Sequence, residues 1–336
     1  MRYLTLLACL LCSHPLPAAE SPAKLAGQVK AIGDKGPHNA FTDLIRFHKR
    51  WYCTYREGAG HAAGAGTIRV LVSKGGDQWT SAALLESKDV DLRDPKLSVT
   101  PDGRLMIVGG AATPASRKPI KDHYSFVSFS KDGKDWSAPR KVLASWQWLW
   151  RVTWHKKMAY GVAYQWDPKT PENTQKWTAS LFKSRDGIQY DKVADFKFPN
   201  PTEATLAFDG DVMYCLQRRD GKPNSAMLGR SEAPYTKWTW KDLGVYFGGP
   251  NLIRDSAGTW WAAGRLIEKG QPKTVVCRLD VDKGKLEPVL TFPSGGDTSY
   301  PGLAWHGKQL WISYYSSHEG KTKVYLARVN LMTDRK

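Results

Sequence analysis

The chain has 336 residues, of which 41% are hydrophobic and 24% charged, a composition typical of a globular domain and not of a disordered segment. The net charge of +17 comes from Lys and Arg scattered along the sequence. No nucleic-acid-binding motif accompanies them, so we expect no nucleic-acid partner. The charge favours instead an anionic partner, such as an acidic glycan.

The first predicted element is an export signal in residues 1–19. Arg2 precedes a short apolar run that ends at Cys12, and the small residue Ala19 offers a cleavage site. Neither this run nor any later one is long enough to span a bilayer, so we expect no integral membrane segment. The protein is predicted to be secreted or periplasmic. The residues before Cys9 resemble a lipoprotein box, which leaves a lipid anchor as an alternative.

Three cysteines remain beyond the leader, at positions 53, 215 and 277. Their odd number and wide spacing indicate neither a disulfide framework nor a set of metal ligands. Cys53 and Cys215 lie in strand-like apolar runs, so we expect both to be buried, and we expect no metal ion or cofactor.

One unit recurs six times within residues 20–336: a short strand, a polar turn, and a second strand rich in aromatic and β-branched residues. The copies are Phe41–Glu57, Asp94–Gly110, Leu149–Tyr164, Glu203–Arg219, Gly249–Arg265 and Tyr300–Tyr315. Their starts lie 53, 55, 54, 46 and 51 residues apart. Each unit is typical of a β-hairpin, and a period near fifty suits a four-stranded blade with its loops. The sequence predicts a single all-β domain, a six-bladed β-propeller of four-stranded antiparallel blades, and we expect a monomer.

A short turn motif recurs between these hairpins. Its clearest copy runs from Ser130 to Trp136 (SKDGKDW), a softer copy begins at Ser184, and a third begins at Ser73. The Ser and Asp side chains are expected to accept hydrogen bonds from turn amides, while the aromatic residue packs beneath. We expect Asp132 and Asp186 to be structural.

The starts of the six first strands and the ends of the six second strands are expected to meet at one end of the central channel. Polar residues are concentrated there, which favours a binding or catalytic pocket over an ordinary channel mouth. The first strands contribute Asp43, Arg93, Asp94, Arg151, Glu203, Asn251 and Tyr300. The second strands contribute Arg56, Arg218, Arg265 and Tyr315.

These residues and the turn motif resemble the bacterial exo-sialidases, whose propellers carry the turn motif as an Asp-box. The resemblance implies a Tyr nucleophile activated by Glu, three Arg residues that clamp the substrate carboxylate, and an Asp acid/base. Glu203 and Tyr300 match the expected Glu and Tyr, and Arg218 matches one Arg. A phenol suits a substrate that has a carboxylate at its anomeric carbon, because a carboxylate nucleophile would meet a like charge.

The sequence departs from that pattern at the first Arg and at the acid/base. Arg56 is the predicted substitute for the first Arg, and Arg265 is the predicted third, with Arg278 as the alternative. The loop expected to hold the acid/base Asp, residues 58–66, contains no carboxylate.

Two residues are candidates for the missing acid/base. His61 is the titratable residue of that loop, and Asp94 is the alternative. The many glycines of the loop predict mobility. Arg93, Asp43, Arg151, Asn251, Tyr315 and His318 complete the predicted substrate-binding set.

The resulting hypothesis is a retaining glycoside hydrolase that removes a terminal sialic acid or a related acidic sugar. The alternatives are a glycan-binding propeller without catalytic activity and a hydrolase of a different acidic glycan. The missing first Arg and loop Asp favour binding alone, whereas the Glu203 and Tyr300 pair favours the enzyme.

Overall fold

The computed structural model describes residues 23–25, 27–113, 121–170 and 176–331. Within these ranges the chain forms strands β1 to β25 and no helix, and so none of the described segments is a helix able to cross a membrane. The export signal predicted for residues 1–19 lies outside the described residues.

The strands sort into six antiparallel sheets, named blades I to VI in chain order. Blade I comprises β3 (His38–Phe47), β4 (Arg50–Gly58), β5 (Thr67–Ser73) and β6 (Thr80–Leu85). Blade II comprises β7 (Asp91–Val99), β8 (Leu105–Thr113), β9 (Asp122–Ser130) and β10 (Arg140–Val142). Blade III comprises β11 (Gln147–His155), β12 (Met158–Gln165), β13 (Thr178–Ser184) and β14 (Asp191–Phe196).

The second half of the chain follows the same plan. Blade IV comprises β15 (Pro201–Asp209), β16 (Val212–Arg219), β17 (Met227–Ser231) and β18 (Thr239–Asp242). Blade V comprises β19 (Gly248–Arg254), β20 (Trp260–Glu268), β21 (Gln271–Asp280) and β22 (Lys285–Thr291). Blade VI comprises β23 (Thr298–His306), β24 (Gln309–Ser316), β25 (Lys323–Leu331) and β1 (Ala23–Leu25), with β2 (Lys30–Gly33) also on β25.

The first strands of the six blades line the central axis, each beside the first strand of the next blade. The predicted hairpins are the first two strands of each blade, which confirms the six-bladed all-β fold. The outer strand of blade VI comes from the N-terminus, where Ala23 pairs with Leu331. This pairing joins the two ends of the described chain and closes the ring.

Large side chains fill the space between neighbouring blades. Trp51 of blade I stacks on Trp311 of blade VI, with ring centroids 4.2 Å apart and planes 10° from parallel. Both indoles are buried. Cys53 and Cys215 are buried, as predicted, and Cys277 is buried as well; all three are free thiols.

The three predicted turns join the third and fourth strands of blades I, II and III. In blade II, Asp132 Oδ1 accepts hydrogen bonds from the amides of Lys134 and Asp135 at 2.8 and 3.0 Å. Ser130 Oγ accepts one from the amide of Gly133 at 2.8 Å. Tyr52 of blade I donates its hydroxyl hydrogen to the carbonyl of Asp132 at 2.8 Å. The turn therefore braces its own blade and fastens it to the preceding one.

Gly133 is required in this turn for two separate reasons. Its φ is +77°, a conformation that side chains disfavour, and a Cβ there would lie 2.2 Å from Tyr52. Gly103, in the hairpin between β7 and β8, has a φ of +79° but open space around it.

We expect Gly133→Ala to destabilise the protein by about 2–4 kcal/mol, because it adds a clash with Tyr52 to the backbone strain. Gly103→Ala, the matched control, should cost only about 1 kcal/mol. Urea unfolding of both variants measures the difference. Equal losses would show that the Tyr52 contact does not constrain this turn.

Candidate active site

Every first strand is irregular at the same place, near its start. In each blade, two residues of the first strand lie opposite a single residue of the second strand, so the first strand carries one extra residue. The interrupting pairs are 41–42, 94–95, 150–151, 202–203, 249–250 and 300–301. Such bulges redirect side chains, and here they do so six times around one axis.

Three of these bulge residues have a positive φ although they are not glycine. The values are 62° for Phe41, 50° for Asp94 and 50° for Tyr300. A bulky residue in this region is strained, and such strain is concentrated at functional sites. The ring of bulges therefore marks one end of the axis as the candidate site.

Tyr300 of blade VI and Glu203 of blade IV meet at this end. The phenol of Tyr300 donates a hydrogen bond to Glu203 Oε1 at 2.5 Å, and both side chains are buried. Arg218 Nη1 lies 2.7 Å from the same carboxylate oxygen and 3.3 Å from the phenol oxygen. The amide of Gly249 donates to Glu203 Oε2 at 2.8 Å.

These contacts set the charges of the pair. Burial alone would raise the pKa of Glu203, but the charge of Arg218 and the hydrogen bond from Tyr300 lower it below its ordinary value. Burial, reinforced by the charge of Glu203, raises the pKa of Tyr300 well above its ordinary value. The resting pair is thus an ionised carboxylate hydrogen-bonded to a neutral phenol.

Arg265 lies on the other side of Tyr300, with its guanidinium carbon 5.5 Å from the centre of the phenol ring. Its Nε donates to the carbonyl of Thr298 at 2.8 Å, and its Nη2 lies 3.4 Å from the hydroxyl oxygen of Tyr315. Tyr315 donates in turn to Asp297 Oδ1 at 2.9 Å. Tyr300 therefore lies between two guanidinium groups, those of Arg218 and Arg265.

Asp94 is a second buried carboxylate at this end of the axis. Burial raises its pKa to about 6; the charge of Glu203 acts in the same direction, while Lys96 and Arg93 oppose it. Lys96 is buried beneath the phenol, with Nζ 5.4 Å from the Tyr300 ring centre. Near neutral pH, Asp94 can therefore exist in both its protonated and ionised forms, as a proton donor requires.

Arg56 lies below the 58–66 loop and not beside Tyr300. Its Nε bonds Asp91 Oδ1 at 2.7 Å, and its Nη atoms donate to the carbonyls of Gly60 and Ala63 at 2.8 and 3.2 Å. The side chain is fully buried. The structure therefore does not bring Arg56 into a substrate clamp, because its donors already hold the loop and Asp91.

The glycines of this loop have a packing role that the sequence analysis did not foresee. A Cβ on Gly66 would lie 2.2 Å from Asp91 Oδ1 and 2.3 Å from Arg56 Nε, and one on Gly58 would lie 2.3 Å from Arg56 Nη1. Packing therefore explains why these two positions are glycine, because the buried ion pair of Arg56 and Asp91 leaves no room for a side chain. Loop mobility is not needed to explain them.

Phe41 occupies the strand where the first Arg of the sialidase pattern was expected. Its ring packs edge-on against Tyr300, Tyr315 and His61, with centroids 5.2, 5.6 and 4.9 Å away. His61 Nδ1 lies 2.9 Å from Asp297 Oδ2, and the His61 side chain is 53% exposed. The loop histidine thus lies at the rim, separated from Tyr300 by the Phe41 ring.

The remaining predicted residues are placed around this centre. Asp43 Oδ2 accepts from Arg151 Nη1 at 2.8 Å and from the amide of Leu97 at 2.7 Å. Asn251 donates to the carbonyl of Pro301 at 2.9 Å. Together, Asp43, Arg151 and Asn251 support the first strands, and the structure does not join them to the Tyr300 cluster.

Arg93 and His318 also bond away from Tyr300. Arg93 Nε bonds Asp91 Oδ2 at 2.5 Å, beside Asp94 in sequence. His318 bonds Ser316 Oγ at 3.0 Å and packs on Tyr325. His318 is therefore part of the loop between β24 and β25, and its contacts there do not include Tyr300 or Glu203.

Several residues of the site were missed by sequence reasoning. Asp220 fixes Arg218 through bonds of 2.8 and 3.1 Å, and Tyr246 packs against the same guanidinium at 5.5 Å. Asp297 orients Tyr315. Asp220 follows Arg218 by two residues, a spacing that could have suggested the ion pair. Tyr246 and Asp297 lie in loops between blades, where the hairpin alignment gave no signal.

No family model and no curated protein matches this sequence. Solved structures do match its fold. A Dyadobacter fermentans protein of unknown function superposes with a TM-score of 0.80 at 16% identity, over 92% of this chain and 99% of that one. A variant of a Fusarium graminearum α-L-arabinofuranosidase gives 0.69 at 13%, over 92% and 98%.

A Trypanosoma rangeli sialidase also matches, with a TM-score of 0.67 at 11% identity. The alignment covers 92% of this chain, which spans 58% of the length of that sialidase. At such identities these likenesses establish the sialidase-like six-bladed fold.

The raised pKa of Asp94 has a measurable consequence for stability. The native state holds this proton up to about pH 6, whereas the unfolded chain releases it near 3.8. The stabilisation from protonated Asp94 is therefore complete below pH 3.8 and is lost as the pH rises through 6. Above pH 6, the native state bears the cost of a buried carboxylate.

We expect Asp94→Asn to be more stable than the parent above pH 6, by up to about 3 kcal/mol. The difference should vanish below the pKa of the unfolded chain. Denaturant unfolding of both proteins across this range tests the expectation. If the difference in unfolding free energy between the two proteins is the same at all pH values, the native state does not raise the pKa of Asp94.

Proposed function

We propose that the protein is a retaining glycoside hydrolase that removes a terminal acidic sugar from a glycan, with sialic acid as the first candidate. The 2.5 Å hydrogen bond between Tyr300 and Glu203 carries this proposal. A binding protein has no need of a buried carboxylate poised to deprotonate a buried phenol, whereas a nucleophile does.

In the first step, the Tyr300 oxygen attacks the anomeric carbon while Glu203 takes the phenol proton. The bond from that carbon to the leaving-group oxygen breaks, and protonated Asp94 gives its proton to the departing oxygen. A glycosyl–tyrosine intermediate results. In the second step, Asp94 removes a proton from water, which attacks the same carbon, and the Tyr300 oxygen leaves and recovers its proton from Glu203.

Asp94 is preferred to His61 as the acid/base because of its position. Asp94 is buried in a bulge equivalent to that of Tyr300, and its pKa of about 6 supports both protonation states. His61 is at the rim, and Phe41 lies between it and Tyr300. Proton transfer requires hydrogen-bond reach of the leaving oxygen, which favours the residue closer to the axis.

Two guanidinium groups are available for an anionic substrate group. Arg218 and Arg265 flank Tyr300, and their charges would meet a carboxylate on the sugar being attacked. The likeness to a sialidase fold supports this assignment of substrate class. With the predicted leader sequence, the proposed enzyme acts outside the cytoplasm on exposed glycans.

A second candidate is a glycosidase that acts on a neutral sugar, with Glu203 itself as the nucleophile. Phe41 in place of an Arg, and Arg56 engaged by Asp91, both weaken a three-Arg carboxylate clamp. The matching α-L-arabinofuranosidase fold is consistent with this alternative. In this mechanism Tyr300 only donates a hydrogen bond to the nucleophile.

The two mechanisms differ in what each variant does to turnover. For a tyrosine nucleophile, Tyr300→Phe and Glu203→Gln should each lower kcat by roughly 10³-fold or more on a fluorogenic α-sialoside. For a glutamate nucleophile, Glu203→Gln should abolish turnover of an α-L-arabinofuranoside, while Tyr300→Phe keeps most of it.

The chain provides a matched control. Tyr55 donates to Glu57 Oε1 at 2.9 Å, and Arg69 bonds the same carboxylate at 2.8 Å, but all three lie within blade I. Tyr55→Phe and Glu57→Gln make the same substitutions in a part-buried Tyr–Glu hydrogen bond away from the axis, so activity should persist in both. Loss of activity in these controls, or turnover that survives Glu203→Gln, would refute the assigned pair. Saturable sugar binding without any turnover would favour the glycan-binding alternative.

The acid role of Asp94 predicts a dependence on the leaving group. Asp94→Asn should lower kcat/KM on a natural glycoside by roughly 10²- to 10⁴-fold. It should have much less effect on a methylumbelliferyl glycoside, whose leaving group needs no proton. In the parent enzyme, kcat/KM should fall as the pH rises above about 6, where Asp94 loses its proton. The same selectivity in His61→Asn instead of Asp94→Asn would transfer the acid role to His61.

A further inference from the structure

A second group of chemically capable side chains lies at the rim, where blade I meets blade VI. It consists of His38 at the start of β3, His61 in the loop between β4 and β5, and Asp297 in the loop before β23. None of the three belongs to the proposed proton transfers. We refer to them as the rim cluster.

The two imidazoles converge on a single carboxylate oxygen. His38 Nε2 lies 2.7 Å and His61 Nδ1 2.9 Å from Asp297 Oδ2. The rings are nearly perpendicular, at 77°, and so they approach the oxygen from different directions. One potential ligand atom from each residue lies within 4.8 Å of the other two.

We propose that the rim cluster is a binding site for a divalent transition-metal ion, of which Zn²⁺ is the best match. Two imidazole nitrogens and a carboxylate oxygen form a ligand set suited to Zn²⁺ and its neighbours in the first transition row, not to Ca²⁺ or Mg²⁺, which prefer oxygen ligands. Three protein ligands leave a fourth position for water.

The required adjustment is small. Bonds of about 2.0–2.1 Å in a tetrahedral site place neighbouring ligand atoms about 3.3 Å apart. The two nitrogen–oxygen distances must therefore widen by about half an ångström, within the reach of small side-chain rotations of His61, which is 53% exposed, and of Asp297, which is 28% exposed.

Surrounding contacts already orient Asp297 for this role. Its second oxygen, Oδ1, accepts the hydrogen bond from Tyr315 at 2.9 Å, which leaves Oδ2 directed at the histidines. The amide of Asp297 donates to Ser317 Oγ at 3.2 Å. Hydrogen bonds from outside the ligand set commonly fix a metal-binding carboxylate in this way.

A bound ion would join three segments that are distant in sequence: the start of blade I, the 58–66 loop and the entry to blade VI. Arg56 holds the same loop from below, through the carbonyls of Gly60 and Ala63. The ion would hold it from above, and it would keep Phe41 against Tyr300. The proposed ion would therefore hold these three segments together at the rim of the site.

The test uses the whole mature protein, prepared without a histidine tag and stripped with a chelator. Zn²⁺ is titrated against a competing chromophoric chelator, and Co²⁺ is added separately to record its visible absorption. We expect one equivalent of Zn²⁺ with a Kd below about 1 µM, a Co²⁺ spectrum with nitrogen and oxygen ligands, and a higher Tm with Zn²⁺.

His61→Ala and Asp297→Asn should each weaken Zn²⁺ binding by roughly 100-fold and remove the rise in Tm. His155→Ala is the matched control, because His155 also bonds an aspartate, Asp211, at 3.1 Å, but the described residues place no second imidazole beside that pair. Binding that needs millimolar Zn²⁺, or that falls equally in His155→Ala and His61→Ala, would overturn the proposal. No readout here uses a sugar, so the result is independent of the proposed hydrolysis.

Discussion

The ionised carboxylate of Glu203 is the constraint around which the centre of the propeller is organised. A buried charge is costly unless other groups replace its water, and three separate blades supply them. Blade IV provides Arg218, blade V the amide of Gly249, and blade VI the phenol of Tyr300. The hydrogen bonds that keep Glu203 ionised thus also join three of the six blades at the axis.

The sequence predicted the six hairpins well because each is a local pattern, with alternating apolar residues on either side of a turn. Aligning them also placed Glu203, Arg218, Arg265 and Tyr300 at one end of the axis, where the structure brings them together. The alignment could not predict the contacts of the Arg56 side chain, because its partners, Asp91 and the carbonyls of the 58–66 loop, lie outside the aligned hairpins. Nor could it place His38 beside Asp297, because 259 positions separate them.

Backbone strain occurs at three of the bulge residues that surround the site. Phe41, Asp94 and Tyr300 occupy a backbone region that suits glycine, and Gly249 occupies it in blade V. Holding three larger residues there costs of order 1–3 kcal/mol each. As a result, these side chains face one another across the axis and do not follow the in–out alternation of a regular strand.

The pairing of β1 with β25 has a consequence for how the protein folds. The strand that completes blade VI is the first described segment of the chain, and its partner is the last. Blade VI therefore keeps an unpaired edge until β25 has paired with β1, and Tyr300 lies in that blade. Contacts over such sequence distances form slowly. The hydrogen bond between Glu203 and Tyr300 joins blade IV to this last blade, so its lasting formation depends on the pairing of two strands from opposite ends of the described residues.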